Sequence, residues 1–334
     1  MIATATAGAP ISITGLGCRV PDRVVSNAEL ADYVETSNEW ILERTGIRER
    51  RMAAKEEALS DVALPACIDA LAQAGVDGKD IDLLIVATVT PDMSFPSTGA
   101  ILADRLGAVD AAAYDLSAGC TGFMYALAQG YGMLAGGLAD RALIVGGDIL
   151  SRVLDWSDRS TVVLFGDGAG AVVLEYVEHG GFLGFELGAD GGGGKELFIP
   201  GSGSRLSENG EVYLKMNGRE VFKFATRVMV SSAEAILAEC GRTVDEIDVY
   251  VPHQANIRII DHATRKLGIP EEKVVVNVDR FGNTSSGSIP LALADAADDG
   301  RLKPGKLVLM TGMGAGLTWG SALIEWTQEM NGPK

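Results

Sequence analysis

The chain has 334 residues, and 47% of them are hydrophobic, which is enough to bury one large core or two smaller ones. Its formal net charge of -17 excludes broad nucleic-acid binding, because phosphate contacts need an extended basic surface. We therefore expect a globular protein with no nucleic-acid partner, in which any acidic partner docks on a local basic patch.

The apolar residues follow the two periods of an α/β protein. Short apolar runs predict buried parallel strands at residues 81–89, 141–145, 171–176, 248–251, 273–278 and 307–310. Apolar residues three and four positions apart predict helices at 61–74, 122–135, 221–240 and 257–267. The uncharged run 116–139 is long enough to cross a membrane, but it contains six glycines, so we expect a buried helix and no membrane association.

Three features recur in the same order at an offset of roughly 165 residues: a helix leading into a strand, a strand with a turn of small residues and a helix, and a further strand. The copies lie at 70–89 and 235–251, at 114–120 and 278–283, and at 142–147 and 306–312. We expect two similar halves, residues 1–178 with Cys120 and residues 179–334 with His253 and Asn283. Their site should lie where equivalent strand ends meet.

Four cysteines are scattered without CxxC or paired spacing, which favours a reducing compartment over a disulfide framework. The three histidines lack the spacing of metal ligands, and no glycine-rich segment completes a nucleotide-binding pattern, so no metal or other cofactor is expected. The N-terminus shows neither the basic nor the apolar region of a secretory signal. We expect a cytoplasmic protein.

Cys120 is the strongest candidate for chemistry. It follows a predicted strand and precedes a glycine-rich helix in the segment 115–123, DLSAGCTGF. The positive end of that helix favours the thiolate, and Gly119 and Gly122 leave space around the sulfur. The alternative, a buried cysteine that packs as a small hydrophobe, is our interpretation of the other three cysteines.

Two polar residues and one glycine-rich turn could complete a site. His253 follows a predicted strand, and Asn283 lies at a strand-to-helix turn, although a structural histidine and a simple helix cap are the alternatives. The duplication places Asn283 opposite Cys120. The glycine-rich segment 312–316 is either a tight turn or a source of backbone N–H groups for a developing oxyanion.

Together these motifs resemble the β-ketoacyl-acyl-carrier-protein synthase III family of the thiolase superfamily, enzymes that start fatty-acid synthesis. The resemblance covers nearly the whole chain and includes the segments 38–50, 115–123, 165–170, 251–256, 282–285 and 318–320. It implies thiolase-like βαβαβαββ halves in a five-layered α-β-α-β-α arrangement. It also implies decarboxylative condensation of an acyl-CoA primer with malonyl-acyl-carrier protein.

The resemblance also implies residue roles. Cys120 would be the nucleophile, with His253 and Asn283 as its catalytic partners. The backbone N–H groups of Cys120 and Ala315 would form the oxyanion hole, and Asn256 would order the site.

Further implied roles lie at the surface. Trp40 and Arg159 would hold the adenine of coenzyme A, with Arg44 and Arg48 near the same entrance. Phe95 would reach into the acyl pocket of a partner subunit, which implies a homodimer, whereas a core phenylalanine is the alternative. The implied docking patch for the carrier protein consists of Lys223, Arg258, Arg265 and Lys266. A solvated charged turn is our interpretation of Arg50 and Arg51.

Three positions depart from the family's common residues. Thr121 and Met313 replace alanine and phenylalanine, and Ala315 stands where some members have glycine, although it still offers its backbone N–H. The primer therefore stays open, and two other functions remain. One is an acyltransferase or condensing enzyme of secondary metabolism with the same catalytic residues, and the other is a silent subunit that binds acyl groups or carrier protein.

Overall fold

The structure is a computed structural model that describes residues 3–201, 203–207 and 209–329. Its strands are β1 (Ala3–Thr6), β2 (Ile11–Arg19), β3 (Arg23–Ser26), β4 (Glu49–Met52), β5 (Leu83–Ala87), β6 (Ala112–Leu116), β7 (Arg141–Asp148), β8 (Gly168–Tyr176), β9 (Gly181–Ala189), β10 (Leu197–Phe198), β11 (Lys215–Met216), β12 (Val249–Pro252), β13 (Leu307–Gly314) and β14 (Thr318–Glu325). Its helices are α1 (Asn27–Leu30), α2 (Asn38–Thr45), α3 (Leu59–Ala74), α4 (Thr98–Leu106), α5 (Gly122–Ala135), α6 (Arg159–Val162), α7 (Gly218–Glu239), α8 (Ile257–Leu267), α9 (Val278–Phe281) and α10 (Ser288–Asp298).

Two five-stranded sheets have the same internal order. The first runs β2-β8-β7-β5-β6 and the second β1-β9-β14-β13-β12. In the first sheet β5 is parallel to β6 and β7, and β8 is antiparallel to β2 and β7. In the second, β12 and β13 are parallel and β14 is antiparallel to both neighbours. The order β9-β14-β13-β12 repeats β2-β8-β7-β5, as the duplicated halves predict, while β1 adds an edge strand to the second sheet.

Helices cover the sheets in three layers. Helices α3 and α4 pack on the outer face of the first sheet, α5 and α10 lie between the sheets, and α7 and α8 cover the second sheet. The central layer is apolar where it faces the sheets, with Phe123 and Leu127 of α5 and Ile289 and Leu293 of α10 fully buried between both sheets. This is the predicted α-β-α-β-α arrangement. The division of the chain at residue 178 stays a prediction.

The predicted helices are confirmed. Those at 122–135 and 257–267 coincide with α5 and α8, and the other two correspond to α3 and α7 with shifted ends. The uncharged run 116–139 forms α5 in the central layer. Within the described part of the chain, no helix has both the length and the apolar character needed to cross a membrane.

Two of the strand predictions are wrong in part or in whole. The strand at 171–176 exists as β8, but it is antiparallel to its neighbours. Residues 273–278 form only a single bridge, between Tyr250 and Val274, before α9 begins. The side chain of Gln254 takes the backbone groups that a ladder would use: it donates to Val275 O at 2.9 Å and accepts from Asn277 N at 2.9 Å. The apolar run is therefore buried without forming a strand.

Arg50 is not part of a solvated turn, as its charge suggests, but is completely buried at 0% exposure. Its guanidinium donates to Asn27 Oδ1 at 2.9 Å and to the carbonyl of Val163 at 2.8 Å. Burial lowers the pKa of this group to about 10. Arg50 thus ties the β3–β4 ribbon to the loop that precedes β8, whereas Arg51 is half-buried.

The packing of α3 on β2 leaves no room for a side chain on the strand. A Cβ atom on Gly17 would lie 2.1 Å from the carbonyl oxygen of Ala66. We expect Gly17→Ala to lower the free energy of unfolding by about 1–3 kcal/mol, because α3 and β2 must separate to make room for the methyl group.

Gly132 of α5 provides the control. A Cβ there would meet nothing within 4 Å, so Gly132→Ala should raise the free energy of unfolding by about 0.5–1 kcal/mol. Urea denaturation measures both, and equal effects would contradict the close packing.

Candidate active site

Cys120 lies where β6 gives way to α5. The chain leaves β6, forms the 3₁₀ turn Gly119–Thr121 and enters α5 at Gly122. Gly119 has φ +57°, and a Cβ there would lie 2.7 Å from the backbone nitrogen of Ala315. Glycine at this position therefore allows the β13–β14 turn to approach Cys120 closely. The sulfur-bearing residue is 8% exposed.

The thiol of Cys120 is protonated in the resting site. Burial raises its pKa from 9.0 to about 12, the carboxylate of Asp148 acts in the same direction, and the hydroxyl of Ser285 acts against them. Burial thus opposes the thiolate that the start of α5 favours.

His253 comes directly after β12 and is 1% exposed. Its backbone N–H donates to Thr311 O at 2.8 Å, and its ring Nδ1 lies 2.5 Å from Ser288 Oγ. Ser288 Oγ also accepts from Gln254 N at 3.4 Å, so we assign the serine proton to Nδ1 and the imidazole proton to Nε2. Nε2 has no hydrogen-bond partner among the described residues. Burial lowers the pKa of His253 to about 3, so the ring is neutral and offers one free donor.

Two backbone hydrogen bonds join Asn283 to the first half of the chain. Its backbone N–H donates to Leu164 O at 2.8 Å, and its carbonyl accepts from Gly166 N at 3.0 Å. Its side-chain Oδ1 accepts from Ser285 N at 2.9 Å. This bond fixes the amide plane and leaves the NH₂ group available as a donor.

Two cavities meet at Cys120. One of about 220 Å³ has mainly apolar walls, formed by Val89, Leu150, Phe165, Leu197, Phe198, Ile199 and Leu214 together with Ser117, Gly119, Ser285 and Ala315. The other, of about 180 Å³, is lined by His253, Asn256, Asn283 and Met313 among other residues. The structure thus brings the three predicted catalytic residues to one cavity, and Ala315 to the adjoining one.

Asn256 has a defined structural position beside that cavity. Its Oδ1 accepts from Arg258 N at 2.9 Å, which makes it the N-cap of α8, and its Nδ2 donates to Arg44 O at 3.2 Å. Asn256 therefore joins α8 to α2 at the edge of the cavity.

The implied coenzyme A residues form one cluster. The guanidinium carbons of Arg44 and Arg159 lie 4.6 Å and 4.8 Å from the centre of the Trp40 ring. Arg159 also donates to Glu35 O at 2.8 Å, and Arg48 is exposed nearby in sequence, just after α2. A purine that stacks on Trp40 has to take the place of one of the two guanidinium groups.

The four basic residues implied in docking are all exposed, Lys223 on α7 and the other three on α8. Arg258 lies 5.5 Å from the ring of Phe222, which lines the cavity of His253, so this end of the patch borders the cavity mouth. Lys223 is paired with Glu220 at 2.8 Å. Sequence reasoning missed Arg227, which is exposed one helical turn after Lys223 on α7.

Phe95 is 85% exposed, so it is not a core phenylalanine, and it lines neither cavity of its own chain.

Met313 and Thr121 are two of the residues that depart from the family's common pattern. Met313 lines the cavity of His253. Thr121 lines neither cavity, and its hydroxyl lies 3.1 Å from Thr318 Oγ1. Thr121 therefore does not alter the polarity of either cavity directly.

Sequence reasoning also missed the polar residues that support the site. Asp148 Oδ1 accepts from Val89 N at 2.7 Å, and its Oδ2 accepts from Ser286 Oγ at 3.0 Å. Ser288 orients His253, and Ser285 faces Cys120. The one signal available was the run of small hydroxyl residues after Asn283. Among the described residues, no three His, Cys, Asp or Glu side chains are grouped as metal ligands.

A buried cysteine at a strand-to-helix turn, faced by a histidine and an asparagine from a second, similar half, defines a condensing enzyme of the thiolase-like fold. Sequence profiles of 3-oxoacyl-[acyl-carrier-protein] synthase III match residues 114–191, and those of its C-terminal region match residues 237–326. The β-ketoacyl-[acyl-carrier-protein] synthase III of Symbiobacterium thermophilum is 52% identical over 324 residues, covering 95% of this chain and 98% of that protein. The chain belongs to the 3-oxoacyl-[acyl-carrier-protein] synthase III family.

Solved structures agree. The crystal structure of β-ketoacyl-[acyl-carrier-protein] synthase III from Thermus thermophilus matches with a TM-score of 0.90 at 50% identity, covering 94% of this chain and 99% of that one. A priming β-ketosynthase of a polyketide biosynthetic pathway also matches with a TM-score of 0.90, at 36% identity and 99% coverage of both chains. The predicted family and fold are confirmed.

Because His253 is neutral when folded, it should make the protein sensitive to acid. Its folded pKa of about 3 lies below the ordinary 6.5, so the unfolded chain binds a proton that the folded chain does not, and stability falls as pH drops below 6.5. Between pH 6 and 4 we expect wild type to lose about 1.4 kcal/mol per pH unit more than His253→Gln. Chemical denaturation at each pH measures the free energy of unfolding.

His262→Gln, which removes a half-exposed histidine of α8, controls for the loss of an imidazole. Parallel plots of unfolding free energy against pH for wild type and His253→Gln would refute the buried neutral ring.

Proposed function

We propose that this chain joins an acyl-CoA primer to malonyl-acyl-carrier protein by decarboxylative Claisen condensation, the step that initiates fatty-acid synthesis. One observation carries the proposal: Cys120 lies at the junction of an apolar cavity and a cavity lined by His253 and Asn283. The first suits an acyl chain held on sulfur, and the second suits a thioester that needs hydrogen-bond donors at its carbonyl.

The first half-reaction transfers the primer to Cys120. The sulfur attacks the acyl carbonyl, and the backbone N–H groups of Cys120 and Ala315 hold the oxyanion. When the intermediate collapses, the bond to the coenzyme A sulfur breaks, and the proton of the Cys120 thiol ends on that sulfur. The buried site therefore gains no net charge, in keeping with the raised pKa of the free thiol.

In the second half-reaction, malonyl-carrier protein places its thioester carbonyl against His253 and Asn283. Both side chains are neutral donors, through Nε2 and Nδ2, and stabilise the enolate that forms as carbon dioxide leaves. The enolate carbon attacks the acyl group on Cys120 and expels the cysteine sulfur. The electron pair comes from the broken carbon–carbon bond, so this part of the proposal needs no cofactor.

The entrance can serve both substrates. Trp40 with Arg44 and Arg159 supplies stacking surfaces for adenine, and the exposed charges of Arg48 and the docking patch supply cations. The chain carries a net charge of -17, so an acidic carrier protein is attracted only where basic residues concentrate. That is the surface of α7 and α8 beside the cavity mouth.

A homodimer and a cytoplasmic location belong to the same proposal. Strand β6 is an edge of the first sheet and only half-buried, and the nearby Val109 and Phe95 are 79% and 85% exposed. A second copy at this edge would pair the strand and cover the apolar side chains. All four cysteines are unpaired, which fits a reducing compartment such as the cytoplasm.

The first test is the intact mass of the protein after incubation with a panel of acyl-CoAs, followed by malonyl-carrier protein. We expect an acyl adduct that Cys120→Ala abolishes, and discharge of the adduct to a β-ketoacyl product. His253→Ala and Asn283→Ala should still form the adduct but condense about 10²–10³-fold more slowly, because each lacks one enolate donor. An adduct that passes to another acceptor instead would identify an acyltransferase, and no adduct would identify a silent subunit.

The docking patch predicts a separate effect. Arg258→Glu should raise the KM for malonyl-carrier protein about tenfold at low salt and leave acylation by acyl-CoA unchanged, because the proposal assigns the exposed basic face of α8 to the carrier protein alone. Lys79→Glu, an equal charge change on the opposite outer layer near α3, is the matched control. Steady-state kinetics with each substrate varied would show this, and equal KM increases in both variants would point to net charge instead of a patch.

A further inference from the structure

Ser285 has a backbone conformation that serine rarely adopts. Its φ is +52°, and it is the one residue other than glycine with positive φ in the ranges that the structure describes. Such a conformation is strained for a residue with a Cβ atom and persists only when its surroundings enforce it.

The surroundings enforce it from both sides. The backbone N–H of Ser285 donates to Asn283 Oδ1 at 2.9 Å. The next residue, Ser286, is anchored through its hydroxyl, which lies 2.7 Å from Ala87 O and 3.0 Å from Asp148 Oδ2. Ser285 is therefore held in position by the same contacts that place Asn283.

No hydrogen bond from the Ser285 side chain to the described residues explains this position. The residue is 1% exposed, and its Oγ has no hydrogen-bond partner among the described residues. A buried hydroxyl without a partner lowers stability, because it has lost its hydrogen bonds to water. The strained backbone and the unpaired hydroxyl thus belong to one residue. That residue lines the mainly apolar cavity, the acyl-side cavity of the proposed function, together with Cys120 and Ala315.

We propose that Ser285 is a further catalytic residue, whose hydroxyl donates a hydrogen bond to the sulfur of Cys120 whenever that sulfur carries negative charge. In the resting site no formed hydrogen bond joins this hydroxyl to the described residues, but a side-chain hydrogen-bonding interaction with Ser285 already lowers the pKa of Cys120 against the effect of burial. A thiolate is a far stronger acceptor than a thiol, so deprotonation makes the bond.

The proposal rests on Cys120 being the nucleophile of the proposed function. The sulfur then carries negative charge twice in a cycle, first as it attacks the primer thioester and again when the carbon–sulfur bond breaks in the condensation. In the second case the electron pair returns to sulfur, which then takes a proton from water. With His253 and Asn283 directed at the malonyl thioester, Ser285 is the side-chain donor on the acyl side.

The rate of alkylation of Cys120 by iodoacetamide tests this without any substrate. We expect Ser285→Ala to react about tenfold to a hundredfold more slowly than wild type at each pH from 7 to 9, because a hydrogen bond to a charged group is lost. Ser285→Gly should show the same slowing while raising the free energy of unfolding above that of Ser285→Ala, since glycine fits the positive φ. Ser232→Ala, which removes a buried serine hydroxyl of α7 that lies 2.6 Å from Ser321 Oγ and lines neither cavity, should lower stability and keep the wild-type alkylation rate.

Alkylation at the wild-type rate in Ser285→Gly would overturn the proposal, and that variant serves even if Ser285→Ala does not fold. Equal slowing in Ser232→Ala would overturn it as well, because the effect would then follow lost stability and not the Ser285 hydroxyl. If no acyl-CoA acylates Cys120 but Ser285→Gly still slows alkylation, the proposed function fails and the role of Ser285 in stabilising the thiolate stands.

Discussion

The two backbone hydrogen bonds between Asn283 and the loop before β8 are the constraint on which the site depends. They join a turn of the second half to a segment of the first, at 2.8 Å and 3.0 Å. With the turn fixed there, Asn283 shares a cavity with Cys120, and the hydroxyl of Ser286 donates to Asp148. Neither half contains the site alone, so the close packing of the two sheets around α5 and α10 is a condition of the chemistry.

Burial then decides which charges the site can hold. The thiol of Cys120 and the ring of His253 are both neutral at rest, because a low-dielectric environment disfavours the thiolate and the imidazolium alike. In the proposed mechanism, neutral hydrogen-bond donors take the place of charges, namely two backbone N–H groups, the imidazole Nε2 of His253, the amide of Asn283 and the hydroxyl of Ser285. Such preorganised donors act on charge where it develops, without the cost of desolvating a permanent ion. This explains how a reaction with anionic intermediates can proceed in a buried cavity.

Much of this was predictable from the sequence. Periodicity located α5 and α8 to the residue, since both helices have an apolar stripe and defined ends. Motifs singled out Cys120, His253 and Asn283, which the structure brings together.

The predictions that failed did so for physical reasons. Residues 273–278 have the composition of a strand, but the remote side chain of Gln254 takes their backbone groups. Arg50 looks like a surface charge, yet oxygen atoms of residues distant in sequence accept hydrogen bonds from both of its Nη atoms in the interior. The protonation of Cys120 and the unpaired hydroxyl of Ser285 depend on burial where the two halves pack together, which no local pattern records.

The central claim is that one cysteine carries the primer and that loss of carbon dioxide from the second substrate removes it. A single-turnover experiment with acyl-enzyme made in advance and labelled malonyl-carrier protein tests this most directly, with three signals followed in time. We predict that the adduct on Cys120 disappears, carbon dioxide is released and the β-ketoacyl product forms in equal amounts and at the same rate. Carbon dioxide released while the adduct persists, or product formed without loss of the adduct, would contradict the account.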